Sequence, residues 1–298
     1  GLATIALGSD GGGPFGSRPP SADSSGSSHY RTVPGRAGGL PRHDRLRHRG
    51  TLAWTVDDAR LMVEVLAETT FERATVSRQR IAYCPRPDGR PVDPAVAARL
   101  AAVAATLSDL GHEVVETDIP IAGWNEIFGP LVLDDELRER GHLLDRPDLL
   151  TAYENASLRA AAKLRSADVS AAREALPRFR QRIDEFLHRF DAILTPTVAT
   201  VAFPHGDAPA NIDGVDVDWL WGPFPFTSPF NVAGTPAITL PAGVADGLPI
   251  GAQLAAARGR DAALLNLAES LETALHFDYA PVRTRWDLAH TPQPEPVP

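Results

Sequence analysis

The chain has few of the residues that mark several common protein classes. A single cysteine, Cys84, excludes an internal disulfide and with it a disulfide-stapled secreted scaffold. That usage suits a reducing compartment, and the location expected from it is cytoplasmic. A single lysine, Lys163, leaves the positive charge almost wholly to arginine. No apolar run is long enough to cross a bilayer, and no charged segment leads into an apolar one as in a signal peptide. The nine histidines are scattered, with no H-E-x-x-H and no metal-ligating spacing. No metal or cofactor is therefore expected. Neither a G-x-S-x-G elbow nor a G-K-[ST] phosphate loop occurs. The formal charge of −9 argues against nucleic acid or an anionic membrane as the main partner. What is present, 43% hydrophobic residues over 298 positions, is enough for a sizeable folded core.

The clearest local signal lies at the start. Leu2 to Leu7 is a short apolar run that reads as a buried strand, and it empties into Gly8-Ser9-Asp10-Gly11-Gly12-Gly13. Three glycines after a strand let the backbone turn sharply and aim its N–H groups at one point. Such a turn cradles either a phosphate or the oxyanion of a reaction. Gly11, Gly13 and Gly16 satisfy G-x-G-x-x-G, but a dinucleotide site needs a helix to begin inside the motif. Pro14, Pro19 and Pro20 follow instead, so the phosphate reading fails its structural test. A chain that opens inside a strand without an initiator reads as truncated at its N-terminus.

Residues 14–49 read as an irregular or disordered insert. Pro14 to Ser28 is rich in Ser, Gly and Pro, and Arg31 to Arg49 is basic and nearly free of large apolar residues. Order returns at Gly50. Thr55 with Asp58 three residues on reads as a capping box, followed by the stripe Val56, Ala59, Met62, Val63 and Leu66. Arg80 to Cys84 reads as a strand. Asp93 and Pro94 start a helix that turns Val96, Leu100, Val103 and Leu107 inward, and Gly111 ends it. His112 to Ile119 is the next strand, so this β-α-β run predicts a parallel pair. Trp124–Arg140 and Leu149–Phe190 read as mostly helical, the second breaking near Asp168 to Ser170, with Pro177 in or near the next first turn. Asp191 to Thr197 is a strand, and Ala199 to Phe226 a long loop whose Trp219, Trp221, Phe224 and Phe226 could line a pocket. Ala237 to Leu240 and Pro249 to Leu254 are strands joined by the turn Ala245-Asp-Gly-Leu248, a hairpin signal. Asp261 to Leu275 is the last amphipathic helix, and 280–298 a proline-rich tail expected to be loose.

Five segments, in order, resemble the amidase signature family of serine amidases. They are Gly1-Leu-Ala-Thr-Ile-Ala-Leu-Gly-Ser-Asp-Gly-Gly-Gly13, Gly50-Thr-Leu-Ala-Trp-Thr-Val-Asp-Asp-Ala59, Asp191-Ala-Ile-Leu-Thr-Pro-Thr197, Thr227-Ser-Pro-Phe-Asn-Val-Ala-Gly-Thr-Pro-Ala-Ile-Thr-Leu-Pro241 and Gly247-Leu-Pro-Ile-Gly-Ala-Gln-Leu254. The resemblance covers nearly the whole chain except 14–49. It implies an α/β fold, a mixed β-sheet flanked by helices, as a single partial domain over 1–298. It also implies hydrolysis of a small-molecule carboxamide through a serine acyl-enzyme, with a second serine relaying a proton to a lysine base. Gly11, Gly12 and Gly13 would then be the oxyanion donors, with Asp10 bracing the turn.

The same resemblance exposes departures. The family's nucleophilic serine directly follows the glycines, and here Pro14 stands there, with neither hydroxyl nor N–H. The family's lysine and relay serine lie upstream of the glycine turn. Lys163 sits in an Ala/Arg-rich helical stretch and matches no family motif. Ser17 is the one candidate substitute, three residues late. A shift of reading frame accounts for the gap in the pattern. One base out of register, the codons from Pro14 to His29 permit Ser-Leu-Arg-Ile-Pro-Ser-Ala-Phe-Cys-Gly-Phe-Val-Gly-Leu-Lys-Pro, which follows the family. The expectation is an amidase-like hydrolase of low or no activity as this chain stands. The alternative is a catalytically dead binding, scaffold or partner subunit on the same fold.

Overall fold

A computed structural model describes residues 5–10, 27–30, 46, 48–204, 207–218 and 221–279. Its centre is a mixed sheet of eight strands among the described residues: β1 (Ile5–Asp10), β2 (Ser27–Tyr30), β3 (His48–Ala53), β4 (Arg80–Tyr83), β5 (Glu113–Glu116), β6 (Ala192–Pro196), β9 (Ala237–Ala245) and β10 (Leu248–Ala256). Their order across the sheet is β1-β3-β2-β9-β10-β6-β4-β5. The pairs β6–β4 and β4–β5 are parallel and the remaining pairs antiparallel.

The expected β-α-β unit is present. Between β4 and β5 runs α2 (Pro94–Asp109), capped by Asp93, whose carboxylate accepts the Ala95 N–H at 2.8 Å. Val96, Leu100, Val103 and Leu107 are all buried, as their spacing predicts. They pack with α1 (Val56–Ala67) and α7 (Asp261–Leu275) on one face of the sheet, against Leu194, Ile238 and Leu254. The opposite face carries α3 (Trp124–Arg140), α5 (Ser166–Leu187) and α6 (Ser228–Ala233), packed on Ile193, Ala237 and Ala255. Neighbouring residues of one strand thus serve opposite cores, the two-residue period of a sheet covered on both sides.

The β9–β10 hairpin also forms as its turn residues dictate. Ala245 pairs with Leu248, and Asp246 and Gly247 both take positive φ (51° and 76°), as a type I′ turn demands. The long segment after β6 carries a second small hairpin, β7 (Asn211–Ile212) and β8 (Val215–Asp216).

Three elements depart from the sequence expectation. The first strand runs three residues further, to Asp10, because β3 supplies partners for Gly8, Ser9 and Asp10. Inside 14–49, Ser27–Tyr30 forms β2 between β3 and β9, and β3 itself starts at His48. Two flanking strands give these polar residues the hydrogen bonds that their composition does not predict. The helical break falls at Ala162 to Arg165, between α4 (Ala152–Ala161) and α5, rather than at 168–170. Pro177 sits well inside α5, where it removes one helical hydrogen bond. Val169, Ala172, Leu176, Phe179, Ile183 and Phe186 are buried at alternating steps of three and four, and that stripe holds the helix together across the proline.

Candidate active site

The register fixes which end of the sheet β1 reaches at Asp10. Asp10 pairs with His48, and Gly8 with Gly50; Gly50 pairs with His29, and His29 with Ala237. Ala237 in turn faces Ala255 of β10. The end of β1, the beginnings of β3 and β9 and the end of β10 therefore share one end of the sheet. Just beyond the start of β9 lie Gly234, Thr235 and α6, all buried.

The face of the sheet beneath α6 is polar at its centre. Gln253 of β10 lies between Thr195 of β6 and Thr239 of β9 in the strand register. It is 1% exposed, and its Nε2 donates to Thr195 Oγ1 at 3.0 Å and to the Phe226 carbonyl at 3.1 Å. Thr197 Oγ1 donates to Thr239 Oγ1 at 3.3 Å. Gly251 lacks a side chain where one would meet Thr197 Oγ1 and Thr239 Cγ2, both at 2.9 Å. Gln253 Oε1 and Thr235 Oγ1 are buried without a hydrogen-bond partner among the described residues.

α6 follows from its local sequence. Thr227 precedes it, Pro229 stands in the first turn where a missing N–H costs nothing, and Gly234 ends it with φ of 69°. All six helical residues are buried. Arg180 of α5 donates from Nε to the Val232 carbonyl at 2.9 Å and lies against Gly234. Asn231 Nδ2 donates to the Leu46 carbonyl at 3.2 Å, two residues before β3 begins.

The residues expected to act divide as follows. Asp10 ends β1, at the sheet end just described. Gly11, Gly12, Gly13, Pro14 and Ser17 lie outside the described residues, as do Trp219 and the tail 280–298. Lys163 is exposed on the turn between α4 and α5. The described aromatic residues of the long loop pack against neighbouring side chains. Trp221 stands edge-on to Trp124 and Phe128 at 5.2 and 5.6 Å, Phe224 packs with Phe203, and Phe226 is buried in the core. Burial pushes the Cys84 thiol up to about 11, so it stays protonated at neutral pH. Gln253 and Asn231 were not anticipated as site residues; the signal was an amide amid the apolar run Pro249 to Leu254 and another amid Pro229 to Ala233.

Comparison with known proteins agrees with this geometry. Residues 137–265 match the family model described as Amidase. The acylamidase of Rhodococcus erythropolis is 30% identical over 259 residues, covering 76% of this chain and 52% of the relative. A glutamyl-tRNA(Gln) amidotransferase subunit of Clostridium botulinum is 39% identical over 101 residues, 34% of this chain and 18% of that protein. A crystal structure of an amidase superposes with a TM-score of 0.82 at 25% identity, covering 90% of this chain and 62% of that one. A bacterial aryl acylamidase of the amidase signature enzymes shares the fold with a TM-score of 0.77 at 20% identity, over 98% of this chain and 66% of its own. The chain thus spans about half the length of the acylamidase. The ordered motifs, the mixed sheet with helices on both faces and these matches establish that the chain belongs to the amidase signature family.

Proposed function

We propose that this chain carries the oxyanion-binding part of a hydrolase that cleaves a small carboxamide through a serine acyl-enzyme, and that with Pro14 in place it turns over such amides slowly or not at all. The observation that carries the reading is the placement of β1. Its last residue, Asp10, stands directly before Gly11–Gly13 at the sheet end occupied by α6. Backbone N–H groups from the three glycines would stabilise the negative oxygen that forms when a nucleophile adds to the amide carbonyl. The nucleophile is where the chemistry stops. A serine hydroxyl needs a base within hydrogen-bond reach, and proline offers no hydroxyl to activate. No cofactor enters this scheme. The ligand is a small amide rather than nucleic acid or a bilayer, which the net charge of −9 supports. Among the described residues no helix is long and apolar enough to cross a membrane. The cytoplasm is the proposed location, supported by the one buried, unpaired cysteine.

The departure at Pro14 also supports a second reading, a catalytically silent binding or partner subunit on the amidase fold. A fluorophosphonate probe separates the two. No covalent labelling is expected; labelling that disappears in Ser17→Ala would show an active serine and overturn the inactive reading. Sequencing the gene across the Gly13 codon tests the cause: an inserted or deleted base there is expected, and an uninterrupted frame would refute the shift.

A further inference from the structure

A chain of hydrogen bonds runs from the middle of the sheet to the strand pair that ends at Asp10. It begins at Gln253. Both of its amide hydrogens are used, on Thr195 Oγ1 and on the Phe226 carbonyl. A carbonyl can only accept, so the nitrogen must face Phe226 and the orientation of the amide is fixed. Phe226 immediately precedes Thr227 and α6. A helix of six residues does not hold itself, so tertiary bonds must set its position. Gln253 fixes its entrance, Arg180 holds its last turn through the Val232 carbonyl, and Asn231 reaches out to the Leu46 carbonyl. Leu46 is buried to 2% and leads into β3, whose His48 pairs with Asp10.

We infer that α6 is the strut that holds the β1–β3 strand pair in place at the end where Asp10 lies, with Gln253 and Asn231 as its positioning residues. The part of the inference that concerns oxyanion binding rests on the function proposed above. Neither side chain need touch a substrate. Each acts through a main-chain carbonyl, Gln253 through Phe226 and Asn231 through Leu46. An apolar side chain at 253 would fill the same space without an Oε1 that is buried and unmatched among the described residues, so the amide is there for the bonds its nitrogen makes.

The test is native-state hydrogen exchange on the full chain, which reads position independently of turnover. Asn231→Ala removes the donor to Leu46; Asn231→Asp removes the same donor at the same volume. Both are expected to speed exchange in β1 and β3 by about tenfold, the effect of one lost buried hydrogen bond, and to leave α2 and β5 unchanged. Unchanged exchange in β1 and β3 in either variant would overturn the inference. Gln253→Met keeps the volume and is expected to open the segment from Phe226 to Gly234 together with β1 and β3. That variant decides the matter if the Asn231 variants do not fold: opening confined to Phe226–Gly234 would refute the strut. If amide turnover is measurable, kcat should fall in all three with KM unchanged. Probe labelling that disappears in Ser17→Ala would overturn the inactive reading alone and leave the exchange result standing.

Discussion

Arg60 shows how a single residue can defeat a reading of the sequence. It lies beside the apolar stripe of α1 and reads as solvent-facing, yet its side chain is 0% exposed. Its Nη2 bonds Asn266 Oδ1 at 2.8 Å and Glu269 Oε2 at 2.9 Å on α7, while Nε and Nη1 are buried without partners among the described residues. Removing one member of such a pair strands the other, whereas replacing the buried member with an apolar side chain of similar length does not. Glu269→Ala is therefore expected to destabilise the fold by roughly 3–5 kcal/mol. Arg60→Met should cost less than about 1.5 kcal/mol, because Glu269 keeps Arg73 at 3.0 Å and stays partly in water. Urea unfolding of the two variants checks the order, and equal losses would refute it. Cys84 makes the opposite point, since its singularity was legible and its inertness was not. With the thiol held up to about 11 by burial, iodoacetamide should modify it far more slowly in native protein than in urea.

At the scale of elements, legibility followed how locally each one is specified. α2 and the β9–β10 hairpin match their sequence signals because cap, proline and apolar spacing agree in the one and the turn residues in the other, while α3 and α7 match in extent without a side-chain cap. The hairpin gives a direct check. Gly247→Ala places a Cβ at φ of 76°, with open space around it, so the cost is conformational only, about 1–2 kcal/mol in thermal unfolding. β1, β2 and α5 were misplaced because distant partners decide them: a sheet ladder for the strands, a buried stripe for the helix. α4 went unresolved within its long helical stretch although its start is a full capping box. Thr151 Oγ1 accepts the Glu154 N–H, and the Glu154 carboxylate accepts the Thr151 N–H at 2.9 Å. That backbone bond first, and Arg140 next, lower the Glu154 carboxyl from the ordinary 4.5 to about 2. The folded value lies below the unfolded one, so the contribution is present above pH 4.5 and is lost as pH falls toward 2. The stability difference between the protein and Glu154→Gln should accordingly shrink across that window in acid titrations.

At the scale of the molecule, the sheet grades from a doubly covered centre to thinner edges. From Pro249 to Ala256 every residue of β10 is buried, while β5 at one edge has none buried and Leu7 in β1 at the other is 45% exposed. Local opening costs least where few apolar contacts must be broken, so the slowest amides should be those of β10 and its neighbours β6 and β9. β1 should exchange much earlier. This gradient bears on the proposed chemistry, because Gly11–Gly13 follow directly on the edge strand in sequence, and among the described residues that strand has β3 alone as a hydrogen-bonded neighbour. An oxyanion hole has to be rigid before charge develops in it. The centre of the sheet lends rigidity to the edge through the ladder of β9, β2 and β3 and, beside it, through side-chain bonds that include Gln253 to Phe226 and Asn231 to Leu46. Site residues were legible as motifs for this reason only in part: the glycines announce themselves by composition, whereas the groups that would hold the strand before them in place are two amides inside apolar runs. Exchange measured across the whole chain tests the gradient itself. If β1 proves as protected as β10, the edge is held by something other than this strut, and the ranking of the strands argued here is wrong.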